Sequence, residues 1–241
     1  MSKIFIGVPV RDTKEYSIDA WISSIKELKW SGEVLLYMVD NSDTNDFALS
    51  IEEKKELEEI IKKRIIEEDP IEPISVLSGP SEAKIEHIED MEGQSDEHRL
   101  VVSREAFRQE FLKTDADFWC SIECDIIVPP NALELLMPFM DSFDIITHAY
   151  PEQGGTFAEI SALGILICNR KVLETVSFDE NGGYGHVDID NLSTYYGGDG
   201  WFFRRVLISG YKYADIRNVI EAQHLAKEKE IVDIEEIEVG I

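Results

Sequence analysis

Asp117-Phe118-Trp119-Cys120-Ser121-Ile122-Glu123-Cys124-Asp125-Ile126-Ile127-Val128-Pro129-Pro130 climbs through an apolar run to two acids, and a second apolar run then stops at a proline pair. Runs of this kind, rich in aromatic and β-branched residues, read as buried strand. Glu123 and Asp125 therefore fall at the end of a central strand, where a carboxylate is costly unless something compensates it. On extended backbone an i, i+2 pair points to one face. Two carboxylates on one face offer oxygen ligands to a hard divalent cation. Read alone, the same residues also describe a strand that ends in a solvated acidic turn.

The remaining elements alternate around this one. Lys3 to Val8 reads as a first strand, ended by Pro9. Ile18, Trp21, Ile22, Ile25 and Leu28 give Tyr16 to Lys29 the spacing of a helix. Glu33 to Val39 is a second buried strand, followed by the turn-forming Asp40-Asn41-Ser42-Asp43. Ser50 to Glu68 is helical by propensity, and Ile74 to Leu77 is a short strand. Ser81 to Glu97 is acidic and turn-rich and reads as a surface loop, with Asp96 capping a helix from Arg99 to Leu112. Beyond the central strand come a helix from Asn131 to Met140 and strands at Phe143 to Thr147 and Leu163 to Cys168. A helix from Arg170 to Thr175, a glycine cluster, a helix from Asp199 to Ser209 capped by Gly210, and a strand at Tyr213 to Ile216 follow.

Alternating strands and helices predict an α/β fold with a mainly parallel central sheet and helices on both faces. Such sheets bind ligands beyond the carboxyl ends of their strands. Pro9/Arg11, Asp40/Asn41 and Glu123/Asp125 all follow strands, so three strand ends converge on one edge.

Composition narrows the chemistry. The chain has 241 residues, 44% of them hydrophobic, enough for one large domain. Its formal net charge is -26. That field disfavours nucleic acid and anionic membrane surfaces as partners, so an anionic substrate needs a local exception: a metal ion or a few placed arginines. Cys120, Cys124 and Cys168 form no paired pattern, and an odd count within apolar strands fits reduced thiols in a cytoplasmic setting. No apolar run reaches membrane-spanning length, and the segment from Met1 to Pro9 is too short for a signal peptide. The first strand leads into Val8-Pro9-Val10-Arg11-Asp12 rather than a glycine-rich dinucleotide or phosphate loop, and no Gly-x-Ser-x-Gly elbow occurs. Cys124 lies between two acids that oppose thiolate formation, so it reads as packing before nucleophile.

In this order the features resemble a GT-A glycosyltransferase, nearest to the large inverting group called family 2. The resemblance runs from about Ile4 to Leu225. It rests on Val8-Pro9-Val10-Arg11, Val39-Asp40-Asn41-Ser42, Arg104, Glu123-Cys124-Asp125 in the place of an Asp-x-Asp motif, Gly198-Asp199 before Trp201-Phe202-Phe203-Arg204-Arg205, and His224. Glu123 and Gly198 each stand where the family usually has Asp or another acid.

The resemblance implies a single Rossmann-like GT-A domain over residues 1–226. Its nucleotide-binding half would be about 1–128 and its acceptor half about 129–226, with a charged tail at 227–241. It implies transfer of a sugar from a nucleotide-diphosphate donor, UDP- or GDP-linked, to a hydroxyl of a glycan, lipid or protein. Mn2+ or Mg2+ would neutralise the leaving diphosphate. Asp125 would be the main metal ligand, with His224 as a further one, and Glu123 would reach the ribose or a metal-bound water. Pro9, Val10 and Arg11, with Cys124 beside the acids, would shape the nucleotide pocket. Asp40 would meet the base or ribose, Arg104 the base or diphosphate, and Asp199 would be the base that accepts the acceptor's proton.

Each position also has a plain structural use: an Asx turn at Asp40, a helix-face ion pair at Arg104, an N-cap at Asp199, a surface histidine at His224. A non-catalytic nucleotide-sugar-binding module and a sugar nucleotidyltransferase are the competing readings. The latter needs a glycine-rich basic loop after the first strand, which the sequence does not supply.

Overall fold

The computed structural model describes residues 2–52, 77–149, 163–178 and 198–226, with the side chains of Leu77, Ser78 and residues 198–200 left aside. Its strands are β1 (Ile4–Val10), β2 (Lys29–Trp30), β3 (Val34–Asp40), β4 (Leu77–Ser78), β5 (Glu82–His87), β6 (Phe118–Ile122), β7 (Ile126–Ile127), β8 (Ile145–His148), β9 (Ile165–Asn169), β10 (Tyr213–Ile216) and β11 (Gln223–His224). The helices are α1 (Glu15–Lys26), α2 (Asp46–Glu52), α3 (Asp96–Lys113), α4 (Ala132–Leu136), α5 (Arg170–Thr175) and α6 (Gly198–Ile208).

Seven strands form one sheet in the order β10-β8-β9-β6-β1-β3-β5. β1 runs parallel to β3 and β6, β3 to β5, and β8 to β10; only β9 is antiparallel to its neighbours β6 and β8. The expected mainly parallel sheet is therefore present. β1 is central, and the chain adds β3 on one side of it and β6 on the other. This reversal of direction opens a crevice at the strand ends, where ligands of open α/β sheets bind.

Two-residue alternation puts successive side chains on opposite faces. Ile4, Ile6, Val8 and Val10 join Val34, Leu36 and Met38 in a core covered by Ile18, Trp21, Ile22 and Ile25 of α1. Phe5, Leu35, Tyr37 and Val39 face the other way, under Phe107 and Phe111 of α3 and Phe202, Phe203 and Val206 of α6. Helices thus cover both faces. Gly7 lets this second layer close: a Cβ there would come within 2.9 Å of Trp119 Nε1, which donates to the Gly7 carbonyl at 3.2 Å.

Three sequence expectations are corrected. Ser81 to Glu97 is not a plain loop, because β5 pairs in parallel with β3 from Glu82 to His87. Ile85 is buried while Glu82, Lys84 and Glu86 are exposed. This is a two-residue alternation on an edge strand, whose charged outer face discourages further pairing. Ser95, not Asp96, caps α3: its side chain accepts from His98 N at 3.2 Å, and Asp96 is the first helical residue. Glu123-Cys124-Asp125 is not extended. Ile126 N donates to Glu123 O at 2.9 Å, closing a turn between β6 and β7, so the two acids do not share a strand face.

Gly210 has φ +82° just after α6, as its capping role requires. The expected helix over Ser50 to Glu68 begins earlier, at Asp46, and its part beyond Glu52 lies outside the described residues. So do Ile74 to Val76, the glycines from Gly182 to Gly197 and the tail at 227–241. Among the described residues no helix is long and apolar enough to cross a membrane.

Candidate functional site

The parallel strands β1, β3 and β6 end on one edge, and a cleft lies there. It is lined by Pro9, Val10, Arg11, Thr13 and Lys14 after β1, by Asn41 after β3, by Asp96, Arg99 and Leu100 at the head of α3, and by Glu123, Cys124 and Asp125 after β6. Pro9, Val10, Arg11, Glu123, Cys124 and Asp125, expected from the sequence to act together, are thus brought together, and all three expected strand ends contribute.

Asp125 is the most constrained acid. Its side chain is 3% exposed, and Oδ2 accepts from the Lys14 ammonium and lies 3.2 Å from His224 Nε2. A short ribbon explains how a residue near the end of the chain arrives there. β11 pairs antiparallel with β7, placing His224 opposite Ile126, and Leu225 N donates to Asp125 O at 2.7 Å. Backbone register thus brings Asp125 and His224, expected as two ligands of one metal ion, into direct contact. Burial opposes the charge on Lys14, but Asp125 outweighs it, and the lysine pKa lies above its ordinary value.

Glu123 behaves differently. Its Oε1 lies 3.4 Å from Arg104 Nη2, on a side chain only 3% exposed. Arg104 thus stands behind Glu123 and is not among the residues lining the cleft. Arg11 donates to Asp96, Arg99 to Asp43 and to the Asn41 carbonyl, and these contacts tie the head of α3 to the strand ends.

Asp40 does not line the cleft. It is fully buried: Oδ1 accepts from Ser42 N at 3.1 Å and Ser42 Oγ at 2.6 Å, and Oδ2 lies 2.9 Å from His87 Nδ1. Its neighbour Asn41 lines the cleft instead. Ser103 Oγ donates to Arg99 O at 2.7 Å, so it accepts from Asn41 Nδ2 at 2.9 Å, and Asn41 Oδ1 is buried with no hydrogen-bond partner among the described residues. An unmet buried acceptor beside a cleft is costly unless a ligand donor meets it.

Cys124 is buried, and burial together with Asp125 and Glu123 pushes its thiol well above the ordinary range. It packs as a neutral group. Cys120 is likewise pushed up to about 12 by burial. Asp199 is the second residue of α6, a helix head as expected; its side chain lies outside the description.

The expected metal can be tested against this donor set. Asp125 Oδ2 is engaged by Lys14 and His224, Glu123 by Arg104, and no group of three His, Cys, Asp or Glu able to hold an ion occurs among the described residues. As the side chains stand, they do not form a divalent-cation cage.

Sequence reading missed Lys14, Arg99 and Asp96. Lys14 carried one usable sign: it stands at the head of α1, where a cation opposes the helix dipole. With Arg11, Lys14 and Arg99 against Asp96, Glu123 and Asp125, the cleft balances three cations with three acids. On a chain of net charge -26 the cleft is thus locally neutral.

No family model and no curated protein matches the chain. Solved structures do. S. aureus TarS 1–349 is similar with TM-score 0.56 at 12% identity, over 90% of this chain and 58% of that one. The same protein in complex with UDP-GlcNAc gives TM-score 0.52 at 13% identity, over 90% and 59%. Its complex with UDP gives TM-score 0.52 at 14% identity, over 90% and 61%. The chain thus spans about three-fifths of the TarS chain it matches. These likenesses show the fold alone, a GT-A-like Rossmann fold.

Proposed function

We propose that this chain is a glycosyltransferase that holds a UDP- or GDP-linked sugar in the cleft beside β1 and passes the sugar to an acceptor hydroxyl. One observation carries the reading: at the switch point of a GT-A-like sheet, Arg11, Lys14 and Arg99 line one cleft with the buried Asp125, which Lys14 and His224 contact, on a strongly acidic chain. Pro9 and Val10 form the nucleotide wall. The cations face the diphosphate, where charge grows as the sugar departs. Asp199, in the first turn of α6, takes the proton of the hydroxyl as that oxygen bonds to the anomeric carbon on the face opposite the departing diphosphate, a single displacement that inverts the centre. Asp125 and His224, the donors expected for Mn2+ or Mg2+, are engaged with Lys14 and with each other and do not fit the ion as they stand. Lys14 stands in that place, so no step here is routed through a metal. Three free, buried thiols suit a reducing compartment such as the cytoplasm.

A thermal-shift screen of nucleotide sugars tests this. At about a hundred times Kd, the true donor should raise Tm by about 5 °C or more. No shift with any UDP- or GDP-linked sugar, with or without Mn2+ or Mg2+, contradicts the reading. Asp199→Asn should keep the shift and lose release of the nucleoside diphosphate. A donor shift with no turnover in the unaltered chain would instead support the non-catalytic binding module.

A further inference from the structure

Lys14 has an odd position for an ordinary surface lysine. It is the N-cap of α1, its side chain makes no cap hydrogen bond, and its charge lies at the unfavourable end of the helix dipole. The side chain instead reaches across 111 residues of sequence to Asp125. Asp125 is 3% exposed and Lys14 41% exposed, so the carboxylate is held inside while the ammonium opens to the cleft. An ammonium has three N–H donors. One serves Asp125, and among the described residues the other two have no partner and can turn to a ligand.

We propose that Lys14 is the resident cation of the donor site: anchored on Asp125, it meets the phosphate oxygens of a nucleoside diphosphate and makes donor binding independent of added divalent metal. The inference rests on the donor-site reading above. His224 holds the same carboxylate oxygen from the other side and keeps Asp125 directed at the lysine. Asp125 is then a positioning residue, and Lys14 the group that touches the diphosphate. A buried carboxylate alone would repel that ligand; the fixed ammonium offsets that charge and presents N–H donors to the phosphate oxygens. Arg11 and Arg99 line the same cleft and add charge along the ligand.

Calorimetric titration of UDP and, separately, GDP into the full chain, in EDTA and again in Mn2+, tests this, with circular dichroism confirming the fold of each variant. For whichever nucleotide binds, the affinity in EDTA should lie within about threefold of that in Mn2+, a difference of under 1 kcal/mol. Lys14→Met should lose about tenfold or more in EDTA, the weight of a charged hydrogen bond, and regain most of it in Mn2+, because the ion can then take the vacated carboxylate. Lys14→Arg, which keeps the charge, should stay within about tenfold of the unaltered chain in EDTA. Should Lys14→Met fail to fold, the unaltered chain and Lys14→Arg still decide. Binding by the unaltered chain only in Mn2+ overturns the inference and leaves the donor site standing. Lys14→Met binding as tightly as the unaltered chain in EDTA also overturns it, since the lysine then only neutralises Asp125. No binding in either condition overturns the donor site itself.

Discussion

The ends of β3 and β6 flank the same cleft and carry the same kind of residue, yet the protein uses them in opposite ways. After β3 the acid is consumed by the fold: Asp40 is fully buried and satisfied by Ser42 and His87. The amide beside it is the residue that lines the cleft, with one acceptor unmet. After β6 the acid Asp125 lines the cleft itself, because the turn at Glu123–Asp125 and the β7–β11 ribbon bring Lys14 and His224 to it. Strand ends collect polar residues for two reasons, closing the turn and meeting a ligand. Which residue does which depends on a one-position shift in backbone direction.

Altering the last residue of β3 and the one that follows it is the sharpest way to break this contrast. Asp40→Ala removes the acceptor of three contacts and leaves Ser42 and His87 facing a void. It should cost about 3 kcal/mol in urea denaturation, at the scale of several lost hydrogen bonds to a buried carboxylate. The affinity of the folded fraction for nucleotide should change little. Should affinity collapse while stability holds, Asp40 is a ligand residue and the contrast fails.

Asn41→Ala should do the reverse. It should cost about 1 kcal/mol of stability through the lost Ser103 contact and weaken nucleotide binding about tenfold, because Oδ1 then no longer accepts a donor from the ligand. Equal affinity in the two proteins would mean the unmet acceptor faces no ligand.

A smaller effect is expected at the end of β8. His148 Nε2 accepts from Val219 N at 3.3 Å and Ile220 N at 3.2 Å, on the segment that leads to His224. Burial lowers its pKa, and Asp215 only partly offsets this. A histidine whose folded pKa is depressed stabilises the fold above its ordinary value of about 6.5 and loses that contribution as pH falls through the lowered value. Stability should therefore drop as pH falls below about 6.5, and His148→Gln should flatten the drop. An unchanged pH profile in that variant would assign the dependence elsewhere.

The sheet could be read from the sequence because its strands are long apolar runs and its helices keep regular spacing; Arg170–Thr175 and Tyr213–Ile216 fall where expected. β5 escaped because three of its six residues are charged and only Ile85 is buried, so the acid density of the segment hid the alternation. At the site, the converging strand ends were legible from the order of motifs, and so were Asp125 and His224 together, though as ligands of a metal and not as direct partners. Lys14 was not legible, since its place before α1 was its one sign and nothing in the sequence points to a partner 111 positions away. Nor could sequence say that Asp40 turns inward and Asn41 lines the cleft, because both are ordinary turn formers.

The central claim is that the cleft beside β1 binds a nucleotide diphosphate through the Lys14–Asp125–His224 cluster. Titration of UDP and GDP into the unaltered chain and into Asp125→Ala, both checked for fold, tests it most directly. The account predicts saturable binding of one nucleotide to the unaltered chain and a loss of about tenfold or more in the variant, whose Lys14 is no longer anchored. Binding of equal strength to both proteins, or to neither, would contradict it.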